Sequence, residues 1–308
     1  MGFDGFIQIL LGGLMQASIL ALATLGIVLI FKTSFTTNFA QGSIAAFSAY
    51  VMYFVMHVVI ESVFKIESAT MPWYFYLVGM LAGIIVAFLI GLFVDTLIIR
   101  KAKYITSVGK QMITMGLVLI LTALTDIIFG VLPKTIDRIS YETYRTSGSF
   151  EIAVTAHELV SILLAVFVLS LLFTILRFTK WGLGVRATAS NELVSSMMGI
   201  NTRFITAMSW AVAGALGALA AALYAPTTAY LSTAMMTSFQ VNGFLALILG
   251  GASTFYGPII AAFIIPIVTG FVAYFQPAWS NVIVYVLILI VILIRPNGIF
   301  GKKVQKKV

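Results

Sequence analysis

The residues able to do chemistry are few and widely spaced. The chain has no cysteine, which removes thiolate nucleophiles, thiolate metal ligands and disulfides. Its two histidines, His57 and His157, stand far apart with no partner at metal-ligand spacing, so both read as structural and no metal site is expected. No phosphate-binding loop occurs: Gly109-Lys110-Gln111 lacks both the upstream glycine and the hydroxyl residue that would complete one. The chain therefore carries no catalytic residue for ATP hydrolysis and no cofactor of its own. What remains is a set of polar side chains inside apolar surroundings: Asn38, Gln41 and Ser43 in TTNFAQGS, Asn242 beside Gly243, and Asp126. The amides could touch a polar solute or cap backbone groups freed where a helix is interrupted, and capping is the more ordinary role. An intramembrane carboxylate such as Asp126 is a functional candidate by default, set against a hydrated structural role near a span end.

One further stretch stands out, KWGLGVRATASNELVSSMMGINTR (180–203). Ser190 is the expected N-cap of a short helix. Glu192 falls where the helix dipole favours a carboxylate, and Gly199 supplies the stop. Leu193, Val194, Met197 and Met198 then share one face. About three turns at most, this helix is far short of the roughly 20 apolar residues that a span requires. It is expected beside the bilayer, with an apolar stripe presented to something.

The elements that must position these residues follow from composition. With 61% hydrophobic and 9% charged residues among 308, and a mean hydropathy of +1.10, no soluble fold could hide this much apolar surface. The fold class is all-α: a polytopic membrane helix bundle in one domain, 1–308. The net charge of +8 gathers at the ends of apolar segments, as the positive-inside rule expects, and a nucleic-acid partner is discarded in favour of lipid. Ala21-Leu22-Ala23 resembles a signal-peptidase site, yet the apolar run continues to Phe31 and is read as a retained span.

Spans are expected at 6–31, 35–60, 74–99, 111–132 and 157–177, the second starting as a broken or partly unwound helix. Gly79, Gly83, Ala87 and Gly91 recur every four residues in the third and let another helix approach closely. Arg100, Lys101, Lys103 and Lys110 make the following loop cytoplasmic. The hydrophilic loop 133–156, with cations and anions balanced, is placed outside. The 91 residues from Phe204 to Ile294 contain no Asp, Glu, Lys, Arg or His and are flanked by basic residues on both sides. If both flanks are cytoplasmic the tract crosses an even number of times, and four spans fit: 204–224, 235–251, 257–275 and 280–294. The second of these is expected to be interrupted at Asn242-Gly243. The total is nine crossings with the C-terminus cytoplasmic, or eight if one broken segment re-enters.

Four blocks carry a resemblance to a known family: TNFAQGSIAAFSAYV (37–51), GLFVDTLIIRKAK (91–103), the loop and helix from Gly182 to Pro226, and ALILGGASTFYGPIIAAF (246–263) with ILIRPNGIFG (292–301). In these the chain resembles the permease subunits of the branched-chain amino acid ABC-transporter family, over almost its whole length. Gln41 and Ser43 stand where that family commonly has histidine and glutamate, and Asp126 where it is usually apolar, which leaves the solute open.

The resemblance implies two ABC ATPase subunits on the cytoplasmic side, using ATP and Mg, and an extracytoplasmic substrate-binding protein. It also implies a second permease subunit, expected as a heterodimer with a homomeric pair left open. The location it implies is a bacterial-type cytoplasmic (inner) membrane. In that frame 180–203 is the coupling loop and helix, with Leu193, Val194, Met197 and Met198 as the apolar contact, Arg186, Asn191 and Glu192 as its polar rim, and Gly199 as its end. The cargo would be branched-chain or related amino acids. The competing class is an ion-coupled secondary transporter or channel acting alone. The charge-free tract argues against a proton relay there, while sodium bound by backbone carbonyls would leave no charged signature. A purely structural membrane subunit fits poorly with several polar helix breaks.

Overall fold

The structure, a computed structural model, describes residues 3–64, 72–102, 105–145 and 153–301. Expectations resting on Lys103, on residues 146–152 of the hydrophilic loop and on the basic tail after Gly301 lie outside these residues. The helices are α1 (Phe3–Ser34), α2 (Gln41–Tyr53), α3 (Glu61–Phe64), α4 (Trp73–Phe93), α5 (Ser107–Phe129), α6 (Ala156–Phe178), α7 (Lys180–Ser190), α8 (Glu192–Met197), α9 (Thr202–Tyr224), α10 (Thr237–Gly250), α11 (Tyr256–Phe275) and α12 (Ser280–Ile294). A π-helical stretch, Phe54–Ile60, joins α2 to α3, and another, Val94–Ile99, prolongs α4. Strands β1 (Thr143–Arg145) and β2 (Ala153–Thr155) pair antiparallel, Tyr144 opposite Val154.

Among the described residues eight helical runs are long and apolar enough to cross a membrane. Helix α10, with 14 residues, spans only about 21 Å at 1.5 Å per residue, against roughly 30 Å of hydrocarbon. Its pass is completed by irregular chain before it. The Leu231 N–H donates to the Lys134 carbonyl at 2.7 Å, in the loop that carries the hairpin. At the other extreme Gly251 packs on Asn297 and Gly301, beside Arg295. The bundle thus has a basic end, marked by Arg100, Arg203 and Arg295, and a loop end, and among the described residues the eight membrane-length helices and the shorter α10 run between them. The interruption expected at Asn242-Gly243 is displaced to 228–236; α10 runs unbroken through both residues. Gly243 is there for close approach: a Cβ on it would lie 2.7 Å from Ile27 Cδ1 of α1.

Helices α1 and α9 form the centre. Most of each is buried, whereas α5 and α12 show most of their surface, as lipid-facing helices do. In lipid the helices gain nothing from hiding apolar surface, so close van der Waals packing at small residues holds them. The four-residue ridge of α4 serves that purpose. Gly79 and Gly83 lie against α2, where a Cβ on Gly83 would stand 2.7 Å from the Ser48 carbonyl oxygen, and Gly91 meets the Trp210 carbonyl of α9. Gly214 of α9 meets the Ala87 carbonyl in return.

The packing also repeats with the chain direction reversed. Helix α4 packs on α9 as α11 packs on α1; α2 lies against α9 and α4 as α10 lies against α1 and α11; α5 touches α2 as α12 touches α10. Helix α1 enters from the loop end and α9 from the basic end, and each is followed by an irregular stretch before the next helix. These are the marks of an inverted repeat, an arrangement that places solute sites near the midplane, at discontinuous helices. Helices α6, α7 and α8 connect the two halves.

Candidate functional site

Two features answer to the residues singled out in the sequence, and the first is the break at 35–40. Phe35 takes a positive φ of 50°, which turns the chain at the basic end. Its carbonyl accepts from Ser107 Oγ at 2.9 Å, and the Phe39 N–H donates to Thr114 Oγ1 at 3.1 Å. Those two partners are seven residues apart on α5, so the extended chain climbs about 10 Å into the bundle before α2 begins.

Backbone groups taken out of water and out of a helix need partners, and side chains supply them. Asn38 Oδ1 accepts the Ala40 N–H at 2.9 Å, and Asn38 Nδ2 donates to Gln41 Oε1 at 3.3 Å. Gln41 Nε2 donates to the Ala213 carbonyl of α9 at 2.6 Å. Gln240 of α10 brackets the break: its Nε2 donates to the Phe39 carbonyl at 2.6 Å, and its Oε1 accepts the Gly42 N–H. The two halves of the repeat are therefore stitched together at their discontinuities.

Asn38 and Gln41 are buried and committed to backbone, which is the capping role. Ser43 is half-buried one turn on. Asn242, half-buried on α10, has its Oδ1 enclosed and without a hydrogen-bond partner among the described residues. Gln240 and Thr114 were not singled out in the sequence. The signal for Gln240 was present but faint: one of few amides in a tract without charge, two residues before Asn242.

The second feature is at the basic end. The single helix expected from Ser190 to Gly199 is two elements. Ser190 ends α7, and the N-cap of α8 is Asn191, in extended conformation, whose Oδ1 accepts the Val194 N–H at 3.1 Å. Asparagine caps at least as well as serine, so the cap falls one residue later than expected. Gly199 takes φ 84°, and the Gly199 and Ile200 N–H groups close on Ser196 and Ser195 carbonyls: the glycine stop forms as expected.

On α8 and its end, Leu193, Val194, Met197 and Met198 are 66%, 50%, 76% and 78% exposed. These are high values for apolar side chains outside the spans. Glu192 lines a cavity of about 230 Å³ with Asp95, Arg100, Lys110 and Arg203. The π-helical end of α4 builds this cluster. Its i→i+5 bond, Arg100 N–H to Asp95 carbonyl at 2.9 Å, sets the two side chains on one side. The Arg100 guanidinium then binds the Asp95 carboxylate at 2.8 Å and the Arg203 carbonyl, at the start of α9, at 2.8 Å. An adjoining hollow of about 520 Å³ runs from Glu192 and Leu193 to Phe35, the first residue of the break. Arg186 lies apart from this rim. It sits on α7, its guanidinium on the Arg177 carbonyl at 3.3 Å, and lines a different cavity with Phe255 and Tyr256.

The glycine blocks near the C-terminus are explained by the same end. The last turn of α10 leaves its carbonyls unpaired. The chain after α12 returns to satisfy them, the Ile299 N–H on Leu249 O at 2.8 Å and the Phe300 N–H on Gly250 O at 3.3 Å. Gly251 and Gly298, at φ 93° and 80°, make the two turns that meet.

A bundle of eight membrane-length helices among the described residues, with an inverted repeat, two discontinuities meeting in its interior and a short apolar helix exposed at one end, belongs to the class of membrane transport permeases. The family follows from comparison: the chain belongs to the branched-chain amino acid transport system permease components, whose family model matches residues 9–292. It is a transport component and not an enzyme. Among similar proteins, the high-affinity branched-chain amino acid transport system permease protein LivH of Salmonella typhimurium is 23% identical over 98% of this chain and 98% of its own. The probable branched-chain amino acid transport permease protein LivH of Methanocaldococcus jannaschii is 27% identical, over 96% of this chain and 92% of its own. The autoinducer 2 import system permease protein LsrC of Photorhabdus luminescens is 26% identical over 91% of this chain and 78% of its own.

Proposed function

We propose that the chain is the permease subunit of an ATP-driven importer for branched-chain or related amino acids, with α8 as the helix through which partner ATPase subunits drive it. The observation that carries this reading is the apolar surface of α8. Leu193, Val194, Met197 and Met198 stand out from the basic end on a helix far too short to cross a membrane. Methionine suits a contact that must adapt as its socket moves. The hollow from Leu193 to Phe35 and the Arg100 tie to α9 put that helix beside both the first break and the centre of the bundle. The basic end then faces the cytoplasm of a bacterial-type membrane, with the C-terminus on that side. The loop end receives cargo from an extracytoplasmic binding protein, and a second permease subunit completes the pathway.

The test is Leu193→Asp with Met197→Asp. Burying each apolar side chain contributes about 1.5–3 kcal/mol; a carboxylate in its place adds a desolvation penalty. ATPase binding is expected to weaken by several powers of ten while the protein still reaches the membrane, because α8 lies outside the spans. Normal transport in this variant, or ATP-independent uptake by the purified chain in liposomes, would overturn the reading.

A further inference from the structure

We propose that a cavity at the loop end binds the zwitterionic head of an α-amino acid, one end of the molecule on Arg138 and the other on Glu158. The proposal rests on the reading of the cargo as an amino acid and deepens it by assigning residues that recognise the charged groups. The cavity has a volume of about 330 Å³ and lies where α1, the residues before the hairpin, the start of α6 and the end of α9 meet. That is the lower end of the roughly 300–1,000 Å³ of small-molecule sites, a size for one amino acid.

Its lining combines opposite charges with an apolar wall. Arg138, half-buried, gives its Nε–H to the Pro226 carbonyl at 3.3 Å. That bond orients the guanidinium and leaves its terminal nitrogens as a fork for a carboxylate. Glu158 accepts the Thr155 N–H at 2.8 Å on one carboxylate oxygen as part of the α6 capping box, and the second oxygen remains for an ammonium group. His157 holds the back of the cavity in place. It is buried, its Nε2 lies 3.0 Å from the Leu223 carbonyl, and its Nδ1 is enclosed without a partner among the described residues. A carbonyl only accepts, so Nε2 carries the proton, and in the neutral ring Nδ1 is an unmatched acceptor. The ring lies behind the lining, out of a solute's reach, and its Leu223 bond fixes the start of α6 against the end of α9. Gly12 and Met15 of α1 and the Tyr224 ring offer the aliphatic side chain its wall.

Both signs in one cavity set its selectivity. A plain carboxylic acid meets Glu158 without a compensating ammonium, and an amine or amide meets Arg138 without a carboxylate. A zwitterion satisfies both.

The absence of cysteine makes the test direct. A single cysteine replacing Gln16, an exposed residue lining the cavity, is labelled with a small maleimide in the full-length protein in nanodiscs. L-leucine is expected to slow labelling, and L-leucinamide and 4-methylpentanoate to need at least about tenfold higher concentrations, since each lacks one charge-assisted contact. Arg138→Gln should erase the preference for leucine over leucinamide while keeping that over 4-methylpentanoate. Glu158→Gln, which retains an acceptor for the Thr155 N–H and so the cap, should do the reverse. Comparing ligands within each variant separates recognition from misfolding, and Arg138→Lys should keep part of the preference. Equal protection by all three compounds, or none by leucine while the assembled system still takes up leucine, overturns the site and leaves the transport reading standing. Absence of both protection and amino-acid uptake removes the two together.

Discussion

Replacing Gln240 with leucine isolates the stitch between the two discontinuities. The side chain keeps nearly its size, so the change removes one donor and one acceptor and little volume. It strands the Phe39 carbonyl and the Gly42 N–H, both now bonded to Gln240 and both part-buried. Each unsatisfied buried group costs about 1–3 kcal/mol, for a combined loss of about 2–6 kcal/mol, offset slightly by the apolar replacement. At about 2 °C per kcal/mol, the scale of large domains, thermal unfolding in detergent should fall by roughly 4–12 °C. Gln240→Glu separates the two halves of the stitch. It retains an acceptor for Gly42 and loses the donor to Phe39, where a charged oxygen would face the carbonyl. Uptake by the assembled system should fall more than stability in that variant, because the first break is displaced while α10 stays packed. The reasoning is refuted if Gln240→Leu melts within about 1 °C of the parent and transports normally.

Gly83→Leu should block assembly or lower stability by more than the 1–3 kcal/mol typical of overpacking, because backbone of α2 lies where the side chain would go. Expression and melting in detergent check this, and wild-type behaviour would mean that α2 and α4 do not meet as described. Single cysteines at Ser190 and at Tyr141, both exposed, should react with impermeant maleimide from opposite sides of the membrane, Ser190 only from the cytoplasm. Labelling of both from one side would invalidate the orientation proposed from the basic end.

Much of the bundle was legible because its signals are local. Span positions follow from apolar runs, and the ridge of α4 from its spacing. The partners of the break were not legible. The Gln240 bonds join residues 198 and 201 positions apart, and nothing near Gln240 in sequence announces a carbonyl waiting across the interface. The discontinuity near α10 was sensed but misplaced, because Asn-Gly suggests a turn whereas here the glycine makes room for α1. The choice between Ser190 and Asn191 as the cap depends on how far α7 continues, and two good capping residues in succession leave that undecided. The inverted repeat has no visible period, since lipid accepts many apolar sequences on the same helix path.

Helices α6 to α8 join the two halves, and α7 touches both α1 and α9. Those two helices are counterparts in the repeat and run in opposite directions. A displacement delivered at this joint therefore reaches two symmetry-related members at once: the same push that carries one toward its own start carries the other toward its end. A hinge placed there would be felt by both halves of the bundle together, as a keystone is felt by both arms of an arch.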